Sequence, residues 1–445
     1  MAKEKKAANM KTSKHLTVLM ALLVILQMSF VYFNATTIRP NSARSDHQLP
    51  REDQEVTRRS LALHRKHSRI ASYWWPSPES SGGFLAAIHR AQHTDNCSAK
   101  STKYFVLRSL KHNKEDNRGL SAWASVTMHH MLHAFSDGDN FTQGGRILIN
   151  DDALWPMAKG CKHGPETREC YFLPFTNCNL SDVDPIDAND GTVAVLTDAK
   201  DEYNRTVRTL YSSDTTKYAR TTNDKISWSG LQGGPKDYSL TSLIAAFLAY
   251  NLQPQPWLRK EIDQRLRRSL PSDLDPDKTL GVPIRRSDKC HGHTIEGSAK
   301  GELNCPDLEA YISSVKRFMT FDPSISNIIV TSEDSKATAQ FISMVKTEIP
   351  ELRIITNVGD VQQGTGSASK LESYKEGASN ADVIASALTS MHLHLRARYF
   401  VLTTKSTWTS SIAILARVYG FAPDIYVIDI GPTSNTFSLL ARTGG

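Results

Sequence analysis

The sequence predicts an α/β protein of two domains, the second built on a doubly wound parallel sheet. Three observations carry this. After residue 279, short apolar runs alternate with helix-length segments, the pattern of successive βαβ units. A chain of 445 residues is long enough for two sizeable cores. A helix, a polar turn and a buried strand follow one another between Gln253 and Lys289, and paired arginines stand directly behind the strand.

Taken from the start, Lys3, Lys5, Lys6, Lys11 and Lys14 precede an apolar run over 16–33 that only Thr17, Gln27 and Ser29 interrupt. About 20 apolar residues span a bilayer core. A cleavable signal would have a shorter apolar stretch ending in small residues. Here Tyr32, Phe33 and Asn34 follow, which favours an uncleaved signal anchor. The lysines place the N-terminus in the cytosol and the bulk of the chain in the secretory lumen. Residues 1–15 are then a cytosolic tail, 16–33 the transmembrane helix and 34–72 a flexible stem without apolar period. The net charge of +7 lies largely before Arg69 and shows no basic face with interleaved aromatics, so nucleic acid is not an expected partner.

Two features agree with a lumenal setting. Acceptor sequons occur at Asn34, Asn96, Asn140, Asn179 and Asn204. All six cysteines (Cys97, Cys161, Cys170, Cys178, Cys290 and Cys305) lie beyond the anchor, and an even number in an oxidising compartment favours disulfides. Connectivity does not follow from sequence, but closeness favours Cys290–Cys305.

The first domain is expected over 73–255, with Trp74 and Trp75 at its start. It holds strand candidates at 104–107, 146–149 and 193–196, a helix over 122–135, a cysteine-rich loop over 161–178 and a buried helix over 239–252. The second domain is expected over 256–445. Pro256 suits a first helical turn, where its missing N–H has no partner to lose. Leu258, Ile262, Leu266 and Leu270 form one apolar stripe, which Pro271 and the Asp273, Asp275, Asp277 run then end. Residues 280–284 read as a buried strand. Further strands are expected at 327–331, 352–355, 399–403 and 424–429, and helices at 306–321, 335–347, 380–396 and 409–419, with Asn380 as an N-cap and Gly420 as a C′ residue.

Ligands of open α/β sheets bind beyond the carboxyl ends of strands. Arg285 and Arg286 stand at such an end with Lys289 behind them, and two guanidiniums with an ammonium suit a diphosphate. The ordinary explanation of such a pair is an internal bond to a carboxylate such as Asp288.

Here the chain resembles a family. Gln253-Pro254-Gln255-Pro256-Trp257, continuing to Asp263, and Gly281-Val282-Pro283-Ile284-Arg285-Arg286-Ser287-Asp288-Lys289 are similar to the donor region of eukaryotic alpha-1,6-fucosyltransferases and of their bacterial relatives that decorate chitooligosaccharides. Ile329 to Asp334, Met391 to Thr407, Arg146 to Ile149 and the Cys170 to Cys178 segment fit the same resemblance in order. It implies a GT-B-like pair of Rossmann-like α/β domains, with GDP-fucose in the second, inversion at fucose and no metal or other cofactor. The implied partners are GDP-fucose, a glycan or glycoprotein acceptor and the Golgi membrane, with a type II topology.

Residue by residue, the resemblance implies that Arg285 holds the β-phosphate and that Arg286 and Lys289 support the pyrophosphate or the leaving charge. Glu333 and Asp334 contact the nucleotide end. Ser406 bonds a phosphate oxygen near a helix N-terminus, where backbone N–H groups favour anions. The departures are Pro283 where the family has a histidine, Ser390 where an aspartate reads guanine, and His293 where a glutamate is the candidate base, with Glu296 close by. An acceptor hydroxyl must lose a proton, so His293 and Glu296 are the candidate bases, and Arg285 and Lys289 the candidate stabilisers of the leaving group.

Two rival readings remain. One is a metal-dependent transferase using Asp137/Asp139, Asp182/Asp184 or Asp273/Asp275 as an Asp-x-Asp motif. The other is a lumenal glycan- or nucleotide-binding protein without catalysis. Zinc on Cys290, His291, His293 and Cys305 is less expected than a disulfide. His392 and His394 are expected on a helix surface, and the Gly364-Thr365-Gly366 stretch in a loop.

Overall fold

The structure is a computed structural model. It describes residues 75–77, 83–93, 95–97, 104–108, 120, 123–124, 127–128, 131, 146–149, 156–179, 207–211, 240–286, 306–358, 379–404, 406–422, 424–431 and 436–440. The expected anchor 16–33, the stem, Asn34, Asn140, Asn204, the strand candidate at 193–196, Lys289, Cys290, His293, Glu296 and Cys305 lie outside the described residues. So do the Asp137/Asp139 and Asp182/Asp184 pairs. Among the described residues, no helix is long and apolar enough to cross a membrane.

Two sheets are present among the described residues, the first all parallel and the second parallel except at its last strand. The first has three strands, β1 (Tyr104–Arg108), β2 (Arg146–Ile149) and β3 (Val207–Tyr211), in the order β2-β1-β3. Of these, β1 and β2 match expectation and β3 was not anticipated. Helix α1 (Gly83–Gln92), also unanticipated, precedes them. Trp123, Ala124, Thr127, Met128 and Met131 are helical and buried, as the 122–135 segment predicts.

Helix α2 (Leu240–Asn251) is buried along its length from Ser242, apart from the half-buried Ile244, which accounts for its nearly all-apolar sequence. Helix α3 (Pro256–Ser269) starts with Pro256 at its first position. Leu258, Ile262 and Leu266 are fully buried, and the Leu270 N–H closes on the Leu266 carbonyl at 2.8 Å. Residues on both sides of the expected 255/256 boundary share one apolar core. Trp75 illustrates this: its indole N–H donates to the Ala249 carbonyl at 2.8 Å, and its ring packs 4.7 Å from His392. In the same core Arg168 is fully buried, donates to the carbonyls of Leu173 and Asn251 and lies 3.7 Å over the Phe175 ring. Burial pulls its pKa down to about 9.

The second sheet has six strands: β4 (Thr279–Ile284), β5 (Asn327–Ser332), β6 (Arg353–Thr356), β7 (Tyr399–Leu402), β8 (Ile425–Asp429) and β9 (Thr436–Leu440). Their order is β6-β5-β4-β7-β8-β9, with only β9 antiparallel. The chain thus winds outward from β4 to one edge, returns to the middle and winds to the other, placing a topological switch between β4 and β7. Helices α4 (Leu308–Phe321) and α5 (Ser335–Glu348) cover one face, where Leu280, Val282 and Ile284 meet Tyr311, Val315 and Phe341. Helices α6 (Asn380–His394) and α7 (Thr407–Tyr419) cover the other, with α3 and α2 packed against them. Apolar runs buried on both faces are what central parallel strands require.

Three local expectations are corrected. Ser379, not Asn380, caps α6: its hydroxyl accepts the Asp382 N–H at 3.2 Å. Gly420 is the C-cap of α7 with φ −67°, not a left-handed residue. Glycine is needed there because a Cβ would collide with the Ala416 carbonyl. His392 and His394 are not surface residues; both are fully buried. The His394 ring bonds Thr331 Oγ1 at 2.8 Å, and a Cβ on Gly281 would stand 2.8 Å from its Nδ1. Loss of hydration pulls its pKa down to about 3. Burial, and then the charges of Arg396 and Arg259, push His392 down as well.

Cys161 pairs with Cys170, and Cys97 with Cys178. The first bond lies inside the expected cysteine-rich loop, and the second joins that loop to the end of α1. Cys290 and Cys305 are the two cysteines that remain.

Candidate functional site

At the switch point the two central strands share only a short ladder. β4 pairs with β5 over six residues, from Thr279 to Ile284, but with β7 only at Leu280/Tyr399 and Gly281/Phe400. Pro283 has no N–H to extend a ladder. Arg285 and Arg286 after β4, and Thr403, Thr404 and Ser406 after β7, therefore follow the carboxyl ends of two neighbouring parallel strands.

At the β4 side, the Arg285 guanidinium forms an ion pair with Glu333, the first residue after β5. The same Glu333 oxygen accepts the Arg286 backbone N–H at 3.1 Å. One carboxylate therefore fixes both arginines of the pair, one by its side chain and one by its backbone. Both side chains of the ion pair keep about a fifth of their surface, 21% for Arg285 and 18% for Glu333, so the pair opens to solvent rather than to the core. No carboxylate among the described residues forms an ion pair with the Arg286 guanidinium. Asp334 is the N-cap of α5 and accepts the N–H groups of Lys336 and Ala337 at 2.9 and 3.0 Å. The resemblance put Glu333 at the nucleotide end; here it is joined to Arg285, and Asp334 closes a helix.

Beneath them lies Tyr311, on α4 and fully buried. Burial pushes its pKa up, the Arg285 backbone N–H acts against that, and the charges of Glu333, Arg286 and Arg285 also reach it. Nothing in the periodicity of α4 marks this tyrosine as more than a core aromatic.

At the β7 side the groups are hydroxyls. Asp429, at the end of β8, accepts the Thr404 N–H at 3.2 Å, the Thr404 hydroxyl and the Gly431 N–H at 2.9 Å. That carboxylate holds the β7–α7 loop. Thr409 donates to the carbonyls of Thr403 and Ser406, and Ser410 to that of Thr404. Ser406 is the N-cap of α7, yet its side chain makes no capping bond. The first N–H groups of a helix have no internal partner, and they carry the positive end of its dipole. Thr403 is fully buried and its Oγ1 has no partner among the described residues. Neither Thr403 nor Asp429 was singled out in the sequence; an acidic residue ending a parallel strand beside the switch point was the available signal.

Two sequence candidates have other roles. Asp273 is paired with Arg353 at 2.8 Å, and Asp275 caps the turn before β4 by accepting the Asp277 N–H at 3.1 Å. Ser390 accepts from the Asn357 amide at 3.0 Å, so a buried Asn–Ser contact stands where the resemblance puts an aspartate. Among the described residues no three His, Cys, Asp or Glu side chains come together.

Fold and site define a doubly wound α/β protein whose switch point is flanked by arginines after β4 and by hydroxyls and a helix N-terminus after β7. No protein-family model matches the chain, and no curated protein does. Solved structures similar to it include the fucosyltransferase NodZ from Bradyrhizobium, 12% identical over 77% of this chain and 100% of that one, with a TM-score of 0.35. The NodZ alpha-1,6-fucosyltransferase soaked with GDP-fucose gives the same values. A mutant of Arabidopsis thaliana FUT1 in complex with GDP is 11% identical over 93% of this chain and 86% of that one, with a TM-score of 0.41.

Proposed function

We propose that this chain is a glycosyltransferase that moves fucose from GDP-fucose to a glycan hydroxyl with inversion. The observation that carries the reading is the placement of Arg285, Arg286 and the N-terminus of α7 just past the carboxyl ends of the neighbouring strands β4 and β7. A diphosphate is the ligand class that this arrangement suits. Fucose as the sugar rests on the resemblance of the segment from Gly281 to Lys289. The alpha-1,6 linkage to N-glycan core GlcNAc rests on the same resemblance.

In this reading the acceptor oxygen attacks fucose C1 on the side away from GDP. The bond from C1 to the β-phosphate oxygen breaks, and GDP departs with the electron pair. Arg285 faces the developing charge on the β-phosphate, with Arg286 and Lys289 beside it and Ser406 on a phosphate oxygen. Preorganised donors aimed at such charge are usually the largest catalytic effect. Glu333 positions Arg285, and Asp334 fixes the start of α5 at the nucleotide end. Glu296 or His293 takes the acceptor proton. No metal enters the step. The two α/β domains, 73–255 and 256–445, divide acceptor and donor between them, and the enzyme is a Golgi type II membrane protein with its catalytic part in the lumen.

One observation favours a second reading. Arg285 already holds a carboxylate, as a purely structural arginine would. A lumenal protein that binds nucleotide or glycan without catalysis fits that pairing. The deciding experiment gives the purified lumenal part GDP-fucose and a panel of glycans, with and without chelator. Release of GDP that depends on acceptor and survives chelation is expected. GDP binding without turnover would select the second reading, and turnover that chelator abolishes would select an Asp-x-Asp enzyme.

A further inference from the structure

Two sequons fall on one disulfide. Asn96 immediately precedes Cys97, and Asn179 immediately follows Cys178. Those cysteines are bonded, with Cα atoms 5.4 Å apart, and both asparagines are exposed. With about 3.8 Å per peptide step, the two asparagine Cα atoms lie within roughly 13 Å of each other.

We infer that Asn96 and Asn179 carry a pair of N-glycans flanking the Cys97–Cys178 bond, and that closure of this bond limits modification of Asn179 but not of Asn96. The asymmetry comes from chain order. In the modification, the asparagine amide nitrogen bonds to the first sugar of a lipid-pyrophosphate-linked oligosaccharide; lipid pyrophosphate leaves and the nitrogen loses one proton. The disulfide forms as two thiols give up two electrons and two protons to the lumenal dithiol-oxidising system. Cys178 follows Cys97 by 81 residues. At about 5–20 residues per second, Cys97 waits roughly 4–16 s for its partner, and the Asn96 segment stays open during that time.

Asn179 has no such interval, because Cys178 enters the lumen one residue ahead of it. Once the bond closes, this segment is held. Cys178 is 5% exposed, and its N–H donates to Thr176 Oγ1 at 3.2 Å. The Thr176 hydroxyl in turn donates to the Gln92 carbonyl at the end of α1. A modifying enzyme needs the sequon in a pliable segment, and here it directly follows a buried, cross-linked residue. The inference rests on lumenal placement and not on the identity of the donor.

The test expresses the full chain in a glycosylating eukaryotic cell and reads occupancy at each sequon by mass spectrometry after enzymatic deglycosylation. Asn96 is expected to be nearly filled and Asn179 partly filled. In Cys97→Ser, which keeps the Asn96 sequon, the unmodified fraction at Asn179 should fall severalfold. Occupancy is read on denatured protein, so the result does not depend on the variant folding. Glycans at Asn34, Asn140 or Asn204 with none at Asn96 and Asn179 would overturn the pairing. Unchanged Asn179 occupancy in Cys97→Ser would overturn the competition. Absence of glycan at all five sequons would contradict lumenal placement as well.

Discussion

Glu333 on the β4 side of the switch point and Asp429 on the β7 side are both carboxylates, and they do different things. After β4, Glu333 sits on the cation that a diphosphate would need. Beside β7, Asp429 at the end of β8 is bonded to backbone N–H groups and a hydroxyl, and among the described residues it forms no ion pair. The first side is held in shape by an interaction that a ligand must share or displace. The second is held by interactions that a ligand leaves alone. An anion bound at this switch point would therefore meet a preformed donor set at α7 and a competed one at Arg285.

The largest break in that comparison is Arg285→Ala. Loss of one preorganised donor to a developing charge costs ~2.7–4 kcal/mol, or roughly 10²–10³ in rate. Steady-state kinetics on the folded variant should show this, and near-normal turnover would leave the arginine a structural role. Ser406→Ala comes next. A hydrogen bond to a charged group contributes about 1.5–3 kcal/mol, so GDP affinity measured by calorimetry should fall by roughly 10- to 100-fold. An unchanged affinity would remove α7 from the site.

The two sides also differ in what lies below them. His394 packs under β4 against Gly281 and is held neutral, with its pKa near 3 against an ordinary 6.5. The unfolded ring takes a proton as pH falls below 6.5, and the folded ring does not until about 3. Stability is therefore lost as pH falls through that window, by up to about 1.4 kcal/mol per pH unit for this ring. Denaturant unfolding at several pH values should show the slope, and His394→Gln should reduce it. Equal slopes in the two proteins would mean that the ring titrates normally.

The smallest effect is the most specific to the comparison. Glu333→Gln keeps an acceptor for Arg285 and removes the competing charge. The pair is partly exposed, so the gain in GDP affinity is about 1 kcal/mol or less, and it should shrink with added salt. Weaker GDP binding would mean that Glu333 helps the ligand rather than competes with it.

The legible parts of the molecule follow a physical division. Strands β4 to β8 and helices α3 to α7 appear within two residues of expectation, because central parallel strands are uniformly apolar and their helices strongly periodic. Arg285 was legible as a residue just past a strand, and Ser406 through the resemblance of the segment from Met391 to Thr407. The contacts that hold the two loops were not legible. Glu333 lies 48 residues from Arg285 and Asp429 lies 25 from Thr404, and only strand order brings them together. His392 and His394 look solvated in sequence because two histidines on a helix match no ligand pattern. Their burial depends on Gly281 being small and on Trp75 arriving from the far end of the chain. Strand β3 was missed because residues 207–211 carry arginine, threonine and tyrosine rather than an apolar run.

In the proposed function a nucleoside diphosphate lies between the end of β4 and the start of α7. A crystal structure of the protein with GDP tests it most directly. Phosphate oxygens are expected on Arg285 and Ser406 and against the first N–H groups of α7, with the Arg285–Glu333 pair loosened or shared. GDP in another cleft, with Arg285 still bound to Glu333 alone, would contradict it.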